Sequence, residues 1–346
     1  MPRLPDKICE FMLELLRMSI IQAPAAALAW LGRQGTRALA ALVFIGIAVP
    51  PIGAMLKPFV TEAIFVLLCI AFLRLDLAAL RGYLGRPALV LAATVWTMLV
   101  IPFLFGASCL LIGLDARSPD LFLALMLQAV ASPMMAAPAF AALMGLDATL
   151  VLVTLVTSTA LTPFTASLFT YAFIGPALTL SPMALGLKLF AILAGSVLVA
   201  VIIRRIAGPA TIERSKDQID GINILLVFVF VAAVMENVAA RFFTAPIVMT
   251  GLGVLAFVVC FAVLGLTTLL FARAGRDRAF VLGLMASQRN MGLMLAAAGG
   301  VLPDLAWLYF ALCQFPIYLS PQLLRPLVRR LVVRSPITPR IANKPR

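Results

Sequence analysis

The sequence predicts an all-α polytopic membrane protein of ten transmembrane helices, in two five-helix halves that cross the bilayer in opposite directions. Three observations predict it. Of its 346 residues 63% are hydrophobic and 12% are charged, about half the charge usual in soluble domains, and mean hydropathy is +1.11. Apolar runs near the roughly 20 residues needed to cross a bilayer recur along the chain. The basic residues cluster in alternate connections between those runs, as the positive-inside rule requires.

In the first 35 residues, Ile8, Phe11, Met12, Leu15 and Leu16 fall at helical spacing, with Glu10, Glu14 and Arg17 on another face. That pattern predicts an amphipathic helix lying on the cytoplasmic surface. Asp6, Glu10 and Glu14 do not suit the basic start and apolar core of a cleaved signal peptide. The spans then read at about 36–56, 60–73, 87–113, 119–145, 148–174, 182–203, 220–240, 245–272, 279–302 and 305–324. The second is short enough to need Pro58 to Glu62 at its start. They form one transporter domain over 36–330, with halves at 36–174 and 182–324, followed by a basic tail at 331–346.

The net charge of +13 reads as topology and not as nucleic-acid binding. Lys7, Arg17, Arg33 and Arg37 precede the first span; Arg74, Arg81 and Arg86 follow the second; Arg204, Arg205, Arg214 and Lys216 follow the sixth. Arg273, Arg276 and Arg278 follow the eighth, and Arg325, Arg329, Arg330, Arg334, Arg340, Lys344 and Arg346 follow the tenth. The other connections hold almost none: Lys57, Arg117 and Arg241. Both termini are therefore expected in the cytoplasm, in a membrane of the bacterial inner type, with an even number of crossings.

The chain has no histidine, which excludes histidine proton relays and histidine metal sites. Cys9, Cys69, Cys109, Cys260 and Cys313 show no metal or redox spacing. There is no phosphate loop, no nucleophile elbow and no working pair of carboxylates. The expectation is a protein that is not an enzyme and uses no cofactor or metal, with a small organic anion and the lipid bilayer as partners.

The ninth span carries the strongest local signal. Phe280 to Leu302 reads FVLGLMASQRNMGLMLAAAGGVL, and Arg289 is its only charge. An arginine at the bilayer centre costs from about 3 to more than 10 kcal/mol unless it faces a partner, a backbone break or water. Gln288, Asn290 and Gly292 around it predict that the helix opens there. The fourth span, QAVASPMMAAPAFAALMG at 128–145, contains Pro133 and Pro138, each of which removes a helical hydrogen bond. Interrupted spans at matching places in two halves are the pattern of inverted-repeat transporters. Pro163 and Pro316 in the fifth and tenth spans add a weaker correspondence. Gln128, Ser132, Gln288 and Asn290 are further candidates for the site; for each, helix–helix hydrogen bonding is the competing role.

These stretches resemble the bile acid:sodium symporter family. ASPMMAAPAFAALMGLDATLVLVTLVTSTALTPFT, from Ala131 to Thr165, is similar to the family's fourth and fifth spans. RLDLAALRGYLGRPALVLAATV, from Arg74 to Val95, is similar to the lead into its third, and SQRNMGL, from Ser287 to Leu293, to its ninth. The resemblance covers residues 36–330. It implies five-plus-five inverted repeats, a panel domain against a core domain, and unwound helices four and nine crossing at the membrane midplane.

The departures from the family are informative. Sodium-coupled members carry a glutamate four residues before the glutamine of a Gln-Asn pair; here those places hold Met285 and Arg289. A serine-asparagine pair in the fourth span is replaced by Ala137 and Pro138, and two hydroxyls in the fifth by Val151 and Leu155. A hard cation takes several oxygen ligands, and these side chains supply none; Asn290 alone keeps the family's residue. Arg289 is then expected either to stand in for the bound cation or to contact an anionic substrate, two compatible roles. The leading expectation is a sodium-independent secondary carrier of an organic anion, by uniport or exchange. The alternatives are a sodium-coupled symporter of steroid-like or carboxylate substrates and a transport-inactive membrane sensor.

Overall fold

The computed structural model describes residues 24–34, 45, 49–75, 87–175, 181–298 and 302–332. Among them every regular element is helical. Apart from the short helical turns Leu114–Arg117, Pro209–Arg214 and Ala272–Ala274, these are, in chain order, α1 (24–34), α2 (Pro50–Leu73), α3 (Pro87–Leu111), α4 (Pro119–Val130), α5 (Ala137–Leu143), α6 (Ala148–Ile174), α7 (Pro182–Ala207), α8 (Lys216–Thr244), α9 (Pro246–Leu270), α10 (Arg276–Ser287), α11 (Met291–Ala298) and α12 (Asp304–Val332). Six of them, α2, α3, α6, α7, α8 and α9, are long and apolar enough to cross a membrane. Exposed Leu187, Phe190 and Leu198 on α7, and Ile247, Val254, Val258 and Leu269 on α9, make faces suited to hydrocarbon and not to water. The protein is an all-α membrane protein.

The span edges differ from expectation at the N-terminal end. Hydropathy separates a span ending near 56 from one starting near 60, but residues 50–73 form one helical run of 24 residues. Pro58 sits in the first turn of a short 3₁₀ segment, Lys57–Phe59, where its missing N–H is tolerated. Residues 24–34, expected in the cytoplasmic N-terminal segment, are helical and packed. The amphipathic pattern at 8–17, residues 76–86 and, apart from its first two residues, the basic tail at 331–346 lie outside the described residues.

The chain divides into two compact units, each drawn from both halves of the sequence. One comprises Met1–Leu75 and Phe190–Thr244. Here α1 meets the start of α8 almost backbone to backbone: a Cβ on Gly221 would lie 2.1 Å from the Leu28 carbonyl oxygen, and one on Gly32 2.1 Å from that of Asp217. Arg33 pairs with Asp217 at 3.3 Å, Arg74 with Asp220 at 2.6 Å, and Lys57 with Glu236 at 3.1 Å. Arg204 donates to the carbonyls of Leu73 and Leu75, each at 2.9 Å.

The second unit comprises Asp76–Leu189 and Ala245–Arg346 and holds the candidate site. Its core gathers Leu150, Val151, Val281, Leu282 and Leu284, all fully buried. Gly283 lets α10 lie directly on α9, since a Cβ there would stand 2.3 Å from Thr268 Oγ1 and 2.6 Å from the Leu264 carbonyl oxygen. Small residues permit this close approach where lipid supplies no hydrophobic drive between helices. Asp147 caps α6, its Oδ1 accepting from the Leu150 N–H at 3.0 Å and satisfying one of the free amides of the first turn.

Candidate functional site

Both interrupted spans break where the sequence places the breaks. α4 stops at Val130 because Pro133 has no N–H to continue the ladder and disfavours helical backbone at the residue before it. Ala131, at ψ 144°, is already extended. α10 stops at Ser287, with Gln288 extended at φ −98° and ψ 105°. The chain resumes as α5 at Ala137 and as α11 at Met291. Pro138 occupies the first turn of α5, a position that needs no N–H, so it starts a helix instead of kinking one.

The two extended segments pair with each other. Pro133 and Arg289 face one another as an isolated antiparallel bridge. The Met134 N–H donates to the Gln288 carbonyl at 2.9 Å, and the Asn290 N–H to the Ser132 carbonyl at 2.8 Å. Main-chain groups exposed by each break are thus satisfied by the other, as buried backbone requires. Four helix ends converge there: the C-termini of α4 and α10 and the N-termini of α5 and α11.

Arg289 is 3% exposed. Its Nη1 donates to the Ala131 carbonyl at 2.9 Å and to the Thr97 carbonyl at 3.2 Å, and Nη2 donates to the Thr97 carbonyl at 3.3 Å. Both acceptors are carbonyls that helical geometry has released. Ala131 follows the last turn of α4. Thr97 lies in a π turn of α3, Trp96–Val100, where the Ile101 N–H bonds to the Trp96 carbonyl. The next residue is Pro102, which has no N–H, so neither neighbour can serve the Thr97 oxygen. Thr94 bonded to Thr157 at 2.8 Å and Trp96 Nε1 donating to Thr267 Oγ1 at 2.9 Å fix this turn against α6 and α9. Sequence reading missed Thr97, Ala131 and Pro102; the one available signal was Pro102 inside an apolar span.

The other candidates fall around this centre. Asn290 Oδ1 accepts from the Leu293 N–H at 3.1 Å, capping α11, and the residue is half-buried. Gln288 is fully buried; its Nε2 donates to Ser320 Oγ at 2.7 Å on α12 while its Oε1 has no partner. Ser132 contributes its carbonyl to the bridge, and its buried hydroxyl is unpartnered. Gln128 stands one turn before the break, where its Oε1 accepts from Tyr309 Oη at 2.6 Å. It therefore ties α4 to α12 and is not part of the paired segments. The buried hydroxyls of Thr97, Ser158 and Thr159 also lack partners.

Met285, Ala137, Val151 and Leu155 are each buried to 1% exposure or less and offer no side-chain oxygen. No group of three or more histidine, cysteine or acidic side chains suited to a metal ion occurs among the described residues. Of the two acceptors of Arg289, the Ala131 carbonyl lies just past the C-terminus of α4, where positive charge is favoured. No protein-family model matches the chain, and no curated protein matches it.

Proposed function

We propose that the protein is a secondary carrier of an organic anion, akin to the bile acid:sodium symporters, that works by alternating access without sodium. The observation that carries this reading is the bonding of the Arg289 guanidinium: among the described residues, each of its hydrogen bonds goes to a main-chain carbonyl freed by a broken helix or a π turn. A fixed guanidinium thereby does the work of a bound cation at the crossing of the two breaks, and no ion has to arrive for the site to form. The half-buried amide of Asn290 and the Met134–Pro138 segment are the surfaces beside the crossing that a substrate meets.

The ten-span, inverted-repeat reading belongs to this proposal. Six long apolar helices, the broken pairs α4–α5 and α10–α11, the helix α12 and the first apolar run of the sequence, at about 36–56, are counted as ten crossings, with both termini cytoplasmic. The composition of the two compact units supports it, because each combines corresponding pieces of the two halves. A panel-and-core carrier is built that way.

Counterflow in proteoliposomes tests the reading. Exchange of labelled organic anions, with steroid-like and simple carboxylates as the first panel, is expected to run at equal rates in sodium and choline buffers. The unpartnered hydroxyls of Ser132, Ser158 and Thr159 favour one rival, a sodium-coupled symporter, since oxygen atoms are what a hard cation ligates. A several-fold rate increase with sodium would establish that rival and remove the cation-surrogate role of Arg289.

A further inference from the structure

We infer that Arg289 carries a second, unfilled binding edge that docks a carboxylate. The inference rests on the carrier reading for its physiological sense but not for its geometry. A guanidinium has five N–H bonds fixed in one plane. The two on Nη1 go to Thr97 and Ala131, and the Nη2 hydrogen on the same end goes to the Thr97 carbonyl. What remains is the Nε–H and the second hydrogen of Nη2. In a planar guanidinium these two bonds lie parallel along one side, the fork that matches the two oxygens of a carboxylate. Among the described residues neither has an acceptor and no acid pairs with this arginine, whereas Arg33 and Arg74 each meet an aspartate.

Two neighbouring groups are unfinished in the complementary sense. The hydroxyl of Ser132, 0% exposed, belongs to the residue next to the Ala131 carbonyl that the guanidinium holds. The hydroxyl of Thr97, 1% exposed, belongs to the other residue it holds. Both are unpartnered. A buried donor without a partner is costly, so each hydroxyl is left available to an oxyanion that comes within its reach. Gln288 Oε1, also unpartnered, is an acceptor and has no part in holding an anion. The carbonyl-bound end of Arg289 thus completes the fold, and the free side completes a ligand site. The ligand is a carboxylate, supplied either by the transported molecule or by a small free anion such as formate.

The test uses full-length protein in detergent at constant ionic strength, with formate, acetate and benzoate as probes and formamide, acetamide and benzamide as their neutral counterparts. Thermal stabilisation is expected with the carboxylates and absent with the amides. A perturbed ¹⁵Nε resonance, assigned by its loss in Arg289→Lys, is expected to accompany it. Arg289→Lys keeps the charge without the fork and should weaken benzoate binding at least tenfold. Thr97→Val and Ser132→Ala should weaken it several-fold while leaving unliganded stability unchanged or higher, which a purely structural hydroxyl would not do. Formate and benzoate are expected to compete for the one edge, and formate that binds without competing would overturn a single dock; counterflow of benzoate separates a substrate headgroup from a bound free anion. Equal stabilisation by amides, or benzoate affinity unchanged in Arg289→Lys, would overturn the inference. Carboxylate binding without any counterflow sinks the carrier reading and leaves the dock standing; counterflow indifferent to carboxylates does the reverse.

Discussion

Replacing Arg289 by methionine removes the guanidinium with little change in length, and its consequence can be worked from the bonds it makes. The Thr97 carbonyl has no substitute donor, because the Ile101 N–H is engaged with Trp96 and residue 102 is proline. The Ala131 carbonyl lies in extended chain past the end of α4. Two buried acceptors are therefore left empty, at roughly 1–3 kcal/mol each, or about 2–6 kcal/mol together. The C-terminal ends of α4 and α10, each worth about half a negative charge, also lose their compensation. Relief from burying a charge acts in the opposite direction and is of the order of several kcal/mol. Removing one partner from such buried charge compensation typically costs about 3–5 kcal/mol net; a loss of about 3 kcal/mol corresponds to a fall of roughly 6–12 °C in Tm on the scale of soluble domains of 150–250 residues. Arg289→Lys keeps the charge and one or two of the bonds, and should lose about 1 kcal/mol, between wild type and the methionine variant. Intrinsic tryptophan fluorescence during heating in detergent, with monodispersity checked at each step, gives both values. A methionine variant as stable as wild type would show that the guanidinium does not hold the crossing together.

The π turn makes a second, sharper test: Pro102→Ala gives residue 102 an N–H and lets the turn relax, so the Thr97 carbonyl gains a main-chain donor. Arg289→Met should then cost about 1–2 kcal/mol less in the Pro102→Ala background than alone, and a double-mutant cycle with no coupling would refute the shared acceptor. Gly283→Ala places a methyl group 2.6 Å from the Leu264 carbonyl oxygen and should destabilise by about 1–3 kcal/mol. Gly251→Ala, with nothing within 4 Å of its Cβ, should instead stabilise by up to about 1 kcal/mol from helix propensity. Reporter fusions at residues 1 and 346 should both report the cytoplasm, and opposite sides would break the ten-span reading.

The sequence alone was enough for the class of protein and for the two breaks. Composition and the repeat of apolar runs decide that the chain lives in a bilayer, because lipid admits only segments that satisfy their own backbone. Pro133 decides that α4 stops, since the constraint acts within one turn of itself. Arg289 with its polar neighbours marks the second break, since a charge in hydrocarbon demands a partner. The start of α2 was misjudged because hydropathy averages over a window and does not register that Pro58, in the first turn of an internal 3₁₀ segment, lets the run from Pro50 continue. Only the tertiary structure decided what the breaks do for each other. That Pro133 pairs with Arg289, and that the guanidinium reaches Thr97 across 192 residues of sequence, follows from how the helices of one unit pack. Those acceptors are main-chain carbonyls, which every residue carries alike; apart from the missing N–H of Pro102, which of them lacks a donor is set by the three-dimensional ladder of hydrogen bonds.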